Sequence, residues 1–78
     1  MQTLFELVID LANELNVNPQ SLTLDLQKST DRDGDLVYSV SVSYEGELIE
    51  DVQYYDEEER RFEVQEVEHY FPDIQTNE

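Results

Sequence analysis

Residues 36–55 read Leu36-Val-Tyr-Ser-Val-Ser-Val-Ser-Tyr-Glu-Gly-Glu-Leu-Ile-Glu-Asp-Val-Gln-Tyr-Tyr55, and the period of this stretch decides the fold. Leu36, Tyr38, Val40, Val42 and Tyr44 share one parity, and Val37, Ser39, Ser41 and Ser43 share the other. Successive side chains of a strand point to opposite faces, so the alternation predicts a half-buried strand with one apolar and one serine-lined face. Glu45-Gly46 supplies a tight hairpin turn, and Glu47–Tyr55 returns as the partner strand. The return is less regular. Leu48, Val52 and Tyr54 share a parity, but Glu50 sits among them. Either Glu50 lies at a sheet edge, or a bulge near Glu50-Asp51 turns Ile49 inward.

Upstream, Leu22, Leu24 and Leu26 alternate with Thr23, Asp25 and Gln27, which predicts another half-buried strand over residues 21–28. Between the two strands, residues 29–35 are turn chemistry, with Asp33-Gly34 suited to positive φ. Residues 3–15 predict a helix. Thr3 and Glu6 have capping-box spacing, and Leu4, Leu7, Val8, Leu11, Ala12 and Leu15 recur at helical intervals. Asn16 and Asn18 suit the turn that follows, and Pro19 ends any continuation.

Downstream, Asp56-Glu-Glu-Glu59 again has capping-box spacing and places carboxylates where a helix N-terminus favours them. Val64, Val67, Tyr70 and Phe71, with Ile74 at its margin, share one helical sector. They predict a second helix over about 57–70, ended by Pro72. The alternative is a fourth strand from Arg61, where Phe62 and Val64 alternate. The expected class is α+β, a three-stranded antiparallel meander with two helices on one face (α-β-β-β-α), the alternative being α-β-β-β-β. A single domain spans 1–74, and 75–78 is expected to be a frayed tail.

Charge is the outstanding feature of the composition. Twenty acidic residues oppose four basic ones, for a net −16 over 78 residues. The distribution is lopsided, at −5 over residues 1–44 and −11 over 45–78. A surface acidic only for solubility would mix signs and spread them evenly. A field of this sign repels nucleic acid and anionic membranes and speeds encounter with basic surfaces. Cysteine is absent, so disulfides and thiolate chemistry do not arise. Glu6 and Asp10 interrupt the first apolar stretch, and no basic segment precedes it. A soluble cytoplasmic protein without a membrane span is expected.

The constellations that could carry chemistry are few. Asp31, Asp33 and Asp35 alternate along a loop as calcium ligands do, but an EF-hand needs glycine at its sixth position and glutamate at its twelfth. Here glycine is fourth and the twelfth residue is Val42, so the trio reads as a polar turn and no metal is expected. Carboxylate pairs are unavoidable among twenty acids, and a catalytic pair needs a desolvated pocket that a domain of this size has little volume to build. His69 is expected on the solvent side of the second helix near Glu66. Only Gly34 and Gly46 exist, so there is no phosphate-binding glycine loop. Neither a cofactor nor enzymatic activity is expected. The α-β-β-β-α order is shared with double-stranded RNA-binding domains, but those open their second helix with a basic cluster. Glu57, Glu58 and Glu59 stand there instead, and direct nucleic-acid binding is rejected on sign.

What remains is the acidic surface. Glu45, Glu47, Glu50, Asp51, Asp56, Glu57, Glu58 and Glu59 recur through one segment, interleaved with Tyr44, Tyr54 and Tyr55. Alternate side chains of a strand lie about 7 Å apart, a spacing on the scale of successive phosphates. Tyr38, Tyr44 and Tyr54 are expected to face the core. Tyr55, of opposite parity, is the expected interface anchor. In size, charge, element order and the run Tyr55-Asp-Glu-Glu-Glu59, the chain resembles the small acidic inhibitors of phages and mobile elements, among them anti-CRISPR and antirestriction DNA mimics. The resemblance implies an inhibitor that occupies the basic nucleic-acid site, PAM-duplex or guide/target, of a DNA-handling enzyme such as an RNA-guided nuclease. These eight acids and Tyr55 would bind the partner. The alternative is an antitoxin, immunity or adaptor protein for a basic partner outside nucleic-acid biology. A monomer is expected over a homodimer, because −16 per chain opposes self-association.

Overall fold

The computed structural model describes residues 2–78. The first helix, α1 (Leu4–Leu15), begins at a complete capping box: Thr3 Oγ1 accepts from the Glu6 amide, and the Thr3 amide donates to Glu6 Oε1. It ends at Asn16, which takes the left-handed conformation (φ 57°, ψ 46°) and lets the Val17 amide reach back to the Ala12 carbonyl at 3.0 Å. A single 3-10 turn, Pro19–Ser21, follows, with the Asn18 side chain accepting from the Gln20 amide.

Strands β1 (Thr23–Thr30), β2 (Leu36–Tyr44) and β3 (Glu47–Tyr54) form the expected antiparallel meander. The turn joining β1 to β2 is organised by Asp31, whose Oδ1 accepts from the amides of Asp33 and Asp35, while Gly34 takes φ 86°. Between β2 and β3, Glu45 and Gly46 both have positive φ, 52° and 82°. A two-residue turn of this handedness matches the twist of the flanking strands.

The irregular β3 resolves into both alternatives raised by its pattern. Val42 faces Glu50 and Ser43 faces Leu48, so Ile49 is an extra residue in a bulge. Ile49 is half-buried and packs against the core, Glu50 stands at the edge of the sheet, and Leu48 turns to the outer face, 62% exposed.

Helix α2 (Glu57–Tyr70) has the expected bounds, and the alternative of a strand from Arg61 does not occur. Asp56 caps it by accepting from the Glu58 amide at 2.9 Å. Leu4, Val8 and Leu11 of α1 and Val64 and Val67 of α2 close over Leu22, Leu24, Val40, Val42 and Tyr54. Phe5 joins the helix ends, with its ring 4.7 Å from Tyr70 and 5.5 Å from Phe71. Leu36, expected on the core face, is 50% exposed. It pairs with Thr30 at the far end of the hairpin, outside the core cluster that the helices close over.

The tail differs from expectation. Gln75–Asn77 form a short strand, β4, which pairs in parallel with Thr23–Asp25 and gives a mixed sheet of order β3-β2-β1-β4. Ile74, read from sequence as the margin of a helical sector, instead inserts into the core at 7% exposure. The Asp73 amide donates to Gln20 Oε1 at 3.0 Å, and Asn77 Nδ2 donates to Asp25 Oδ1 at 2.9 Å. These contacts hold the segment on the open edge of β1. The architecture is α+β, two helices and a four-stranded mixed sheet.

Candidate interaction surface

The acidic residues singled out from the sequence are solvent-exposed, as their burial in a −16 chain would require partners it does not have. The structure does not gather them on one surface. Glu45 is at the hairpin tip. Glu47 pairs with Tyr44 and Glu50 with Val42, so both share the helix side of the sheet. Glu50 there lines a shallow cleft with Thr3, Leu4 and Leu7 at the start of α1, where the amides of the first turn favour a carboxylate. Asp51 pairs with Ser41 on the outer face and accepts from its hydroxyl at 3.3 Å. The bulge at Ile49 is the cause. It breaks the period of two, so the regular ladder of carboxylates expected along the hairpin is not formed.

The second group clusters better. Tyr55 is 67% exposed and leads through Asp56 directly into α2. Within the helix, Glu57 reaches back to Arg61 across one turn at 4.0 Å, an exposed pair of little energetic weight. Glu58 and Glu59 lie either side of Phe62, at the i−4 and i−3 positions, with Glu58 on the side toward Arg61 and Glu59 on the far side. Phe62 is 78% exposed, and Glu66 follows it by one turn. Neither Phe62 nor Glu66 was singled out from the sequence. The signal is present in the spacing Glu58-Glu59-x-x-Phe62-x-x-x-Glu66, but an exposed aromatic stands out only once the buried side of the helix is known. Tyr54 is buried as expected, and Tyr38 and Tyr44 pack half-buried against the core.

Two charged side chains are taken inward. Glu63, half-buried, accepts at Oε1 from the Leu4 amide at 2.8 Å and from the Tyr54 hydroxyl at 3.0 Å. Burial, then the hydrogen bond to Glu63 and the charges of Glu63 and Glu59, push the Tyr54 hydroxyl well above the ordinary phenol range. Arg60, 8% exposed, donates from Nη1 to the carbonyls of Gln27 and Ser39, with its guanidinium carbon 5.2 Å from the Tyr38 ring centroid. One of only four basic residues is therefore withdrawn from the surface, which leaves α2 more negative outside than its composition suggests.

Asp31, Asp33 and Asp35 bring one carboxylate oxygen each within 4.8 Å of one another. They are the acids best placed to hold a cation, but Asp31 Oδ1 is already committed to two turn amides. An open cleft of about 360 Å³ between α2 and β4 is lined by Leu26, Arg60, Val64, Gln65 and Thr76. Its charged rim mixes Arg61 with Glu57, Glu68 and Glu78 and converges on no single point. His69 is exposed and lies edge-on to Tyr70 at 5.1 Å. Among the described residues no helix is long and apolar enough to cross a membrane. No protein family, curated protein or solved structure matches this chain.

Proposed function

We propose that this protein binds the basic nucleic-acid site of a DNA-handling enzyme and blocks it, as an acidic inhibitor whose target class includes RNA-guided nucleases. The observation that carries the reading is the crowding of exposed carboxylates on and just before α2, Asp56–Glu59 with Glu66 and Glu68, following the exposed Tyr55. A surface that concentrates carboxylates so strongly, while burying Arg60, is matched to a partner lined with Lys and Arg. A groove of that kind is what a protein builds to hold phosphates. Each exposed pair contributes up to about 1 kcal/mol, so affinity has to come from many carboxylates acting together.

The test is affinity capture from bacterial lysate on the immobilised protein at about 0.05 M and about 0.5 M salt, with and without competing DNA. A nucleic-acid enzyme held at low salt and released by either salt or DNA is the expected outcome. A partner indifferent to both, or none at low salt, contradicts the reading.

A further inference from the structure

We infer that the outward face of α2 is an arginine-binding surface, with Phe62 as its stacking platform and Glu58, Glu59 and Glu66 as its carboxylate acceptors. The inference rests on the reading of the chain as a ligand for a basic protein, and it names both the face used and the chemistry recognised.

Three observations carry it. First, Phe62 is the most exposed large apolar side chain among the described residues, at 78%, on a helix whose core-facing side is formed by Arg60, Val64 and Val67. At 100° per residue, Phe62 lies about 160° from both Arg60 and Val64, on the side turned to solvent. Nothing in the packing of this domain uses it. Second, Glu58, Glu59 and Glu66 fall within about 60° of Phe62 on the helix surface, and Gln65 and His69 complete the same stripe. All of these residues are exposed. Third, no arginine of the helix occupies the stripe itself: Arg60 is buried, and Arg61, about 100° round the helix from Phe62, lies at its margin and reaches Glu57 at 4.0 Å. The face thus carries an exposed aromatic ring flanked by three carboxylates that make no salt bridge among the described residues.

A lysine ammonium is also drawn to an aromatic face, as Lys28 is to the Tyr38 ring at 5.5 Å, but as a point charge it has neither a plane to stack nor a fork to pair with two carboxylate oxygens. A guanidinium uses both features, because its plane stacks on the aromatic face while its N–H fork meets carboxylate oxygens two at a time. The occupant is therefore an arginine-rich segment of the partner.

Deca-arginine and deca-lysine, titrated into the protein at about 0.05 M salt by calorimetry and by amide chemical-shift mapping, separate the possibilities. Deca-arginine should bind about fivefold or more tightly than deca-lysine, with shifts centred on residues 58–66. Phe62→Ala should remove most of that preference and leave deca-lysine affinity within about twofold, whereas Phe62→Tyr should retain it. The exposure of Phe62 means the variant stays folded, which its amide spectrum checks directly. Equal affinities with shifts centred on 45–51 would overturn the arginine site while sparing the acidic-ligand reading. Failure of both peptides to bind would overturn both.

Discussion

The Tyr54 hydroxyl donates to Glu63 Oε1 at 3.0 Å, and the same oxygen accepts the Leu4 amide at 2.8 Å. One carboxylate of α2 thereby ties the end of β3 to the first turn of α1, satisfying an amide that the helix cannot pair internally. Tyr54→Phe should cost about 1–2 kcal/mol at neutral pH, measured by urea unfolding. The linkage also has a sign. Tyr54 holds its proton in the folded state to a higher pH than the ordinary phenol value near 10. The unfolded chain therefore binds fewer protons above about pH 10, and stability should fall as pH rises beyond that point. Tyr54→Phe should flatten this alkaline limb. An unchanged limb would mean that Tyr54 titrates normally.

Arg60 is buried without a carboxylate within salt-bridge distance among the described residues, held by two carbonyls and the Tyr38 ring. Arg60→Ala removes charge-assisted hydrogen bonds and a packed stem together, and should cost about 2–4 kcal/mol. Arg60→Met keeps most of the volume and avoids desolvating a charge, so its cost should be less than half as large. Equal costs in denaturant titration would show that the guanidinium hydrogen bonds, and not packing, dominate.

Glu45 occupies a left-handed position at φ 52°, where Asn and Gly are favoured. Glu45→Asn should stabilise the hairpin by about 0.5–1 kcal/mol in urea unfolding. If Glu45 also contacts the partner, the same variant should bind more weakly, the usual opposition of stability and function at a site kept for its charge.

Self-repulsion at −16 should make stability strongly salt-dependent. Raising ionic strength from about 0.01 M to about 0.5 M should stabilise the fold by about 1 kcal/mol, or roughly 4–8 °C in midpoint for a domain of this size. Thermal unfolding by circular dichroism reads this directly. A midpoint independent of salt would show that the acids are spaced too widely to repel.

Most of the fold was legible because its elements obey one period at a time. Leu22, Leu24, Val40 and Val42 alternate and are fully buried, and Thr3-Glu6 and Asp56 mark the helix starts where the structure has them. The parts that escaped are those where tertiary contacts decide. Gln75-Thr-Asn77 is polar and has no period, and it becomes a strand because Ile74 is anchored in the core and β1 has a free edge. Ile49 could be recognised as one of two outcomes, but only pairing with β2 fixes the bulge. The charge was plain from composition. Its division between the two faces of the sheet and α2 was not, since one extra residue reverses every orientation beyond it. Phe62 escaped because an exposed aromatic breaks no helical rule and is visible only once the core-facing side is known.

Competition with nucleic acid for the basic site of the partner is measured most directly by displacement. The captured enzyme is loaded with fluorescent DNA or guide duplex and titrated with this protein at two salt concentrations. The expected result is full release of the duplex, with an inhibition constant that weakens steeply with salt and weakens again on neutralising Glu58, Glu59 and Glu66. A ternary complex, in which enzyme, duplex and this protein coexist at saturation, would contradict the claim.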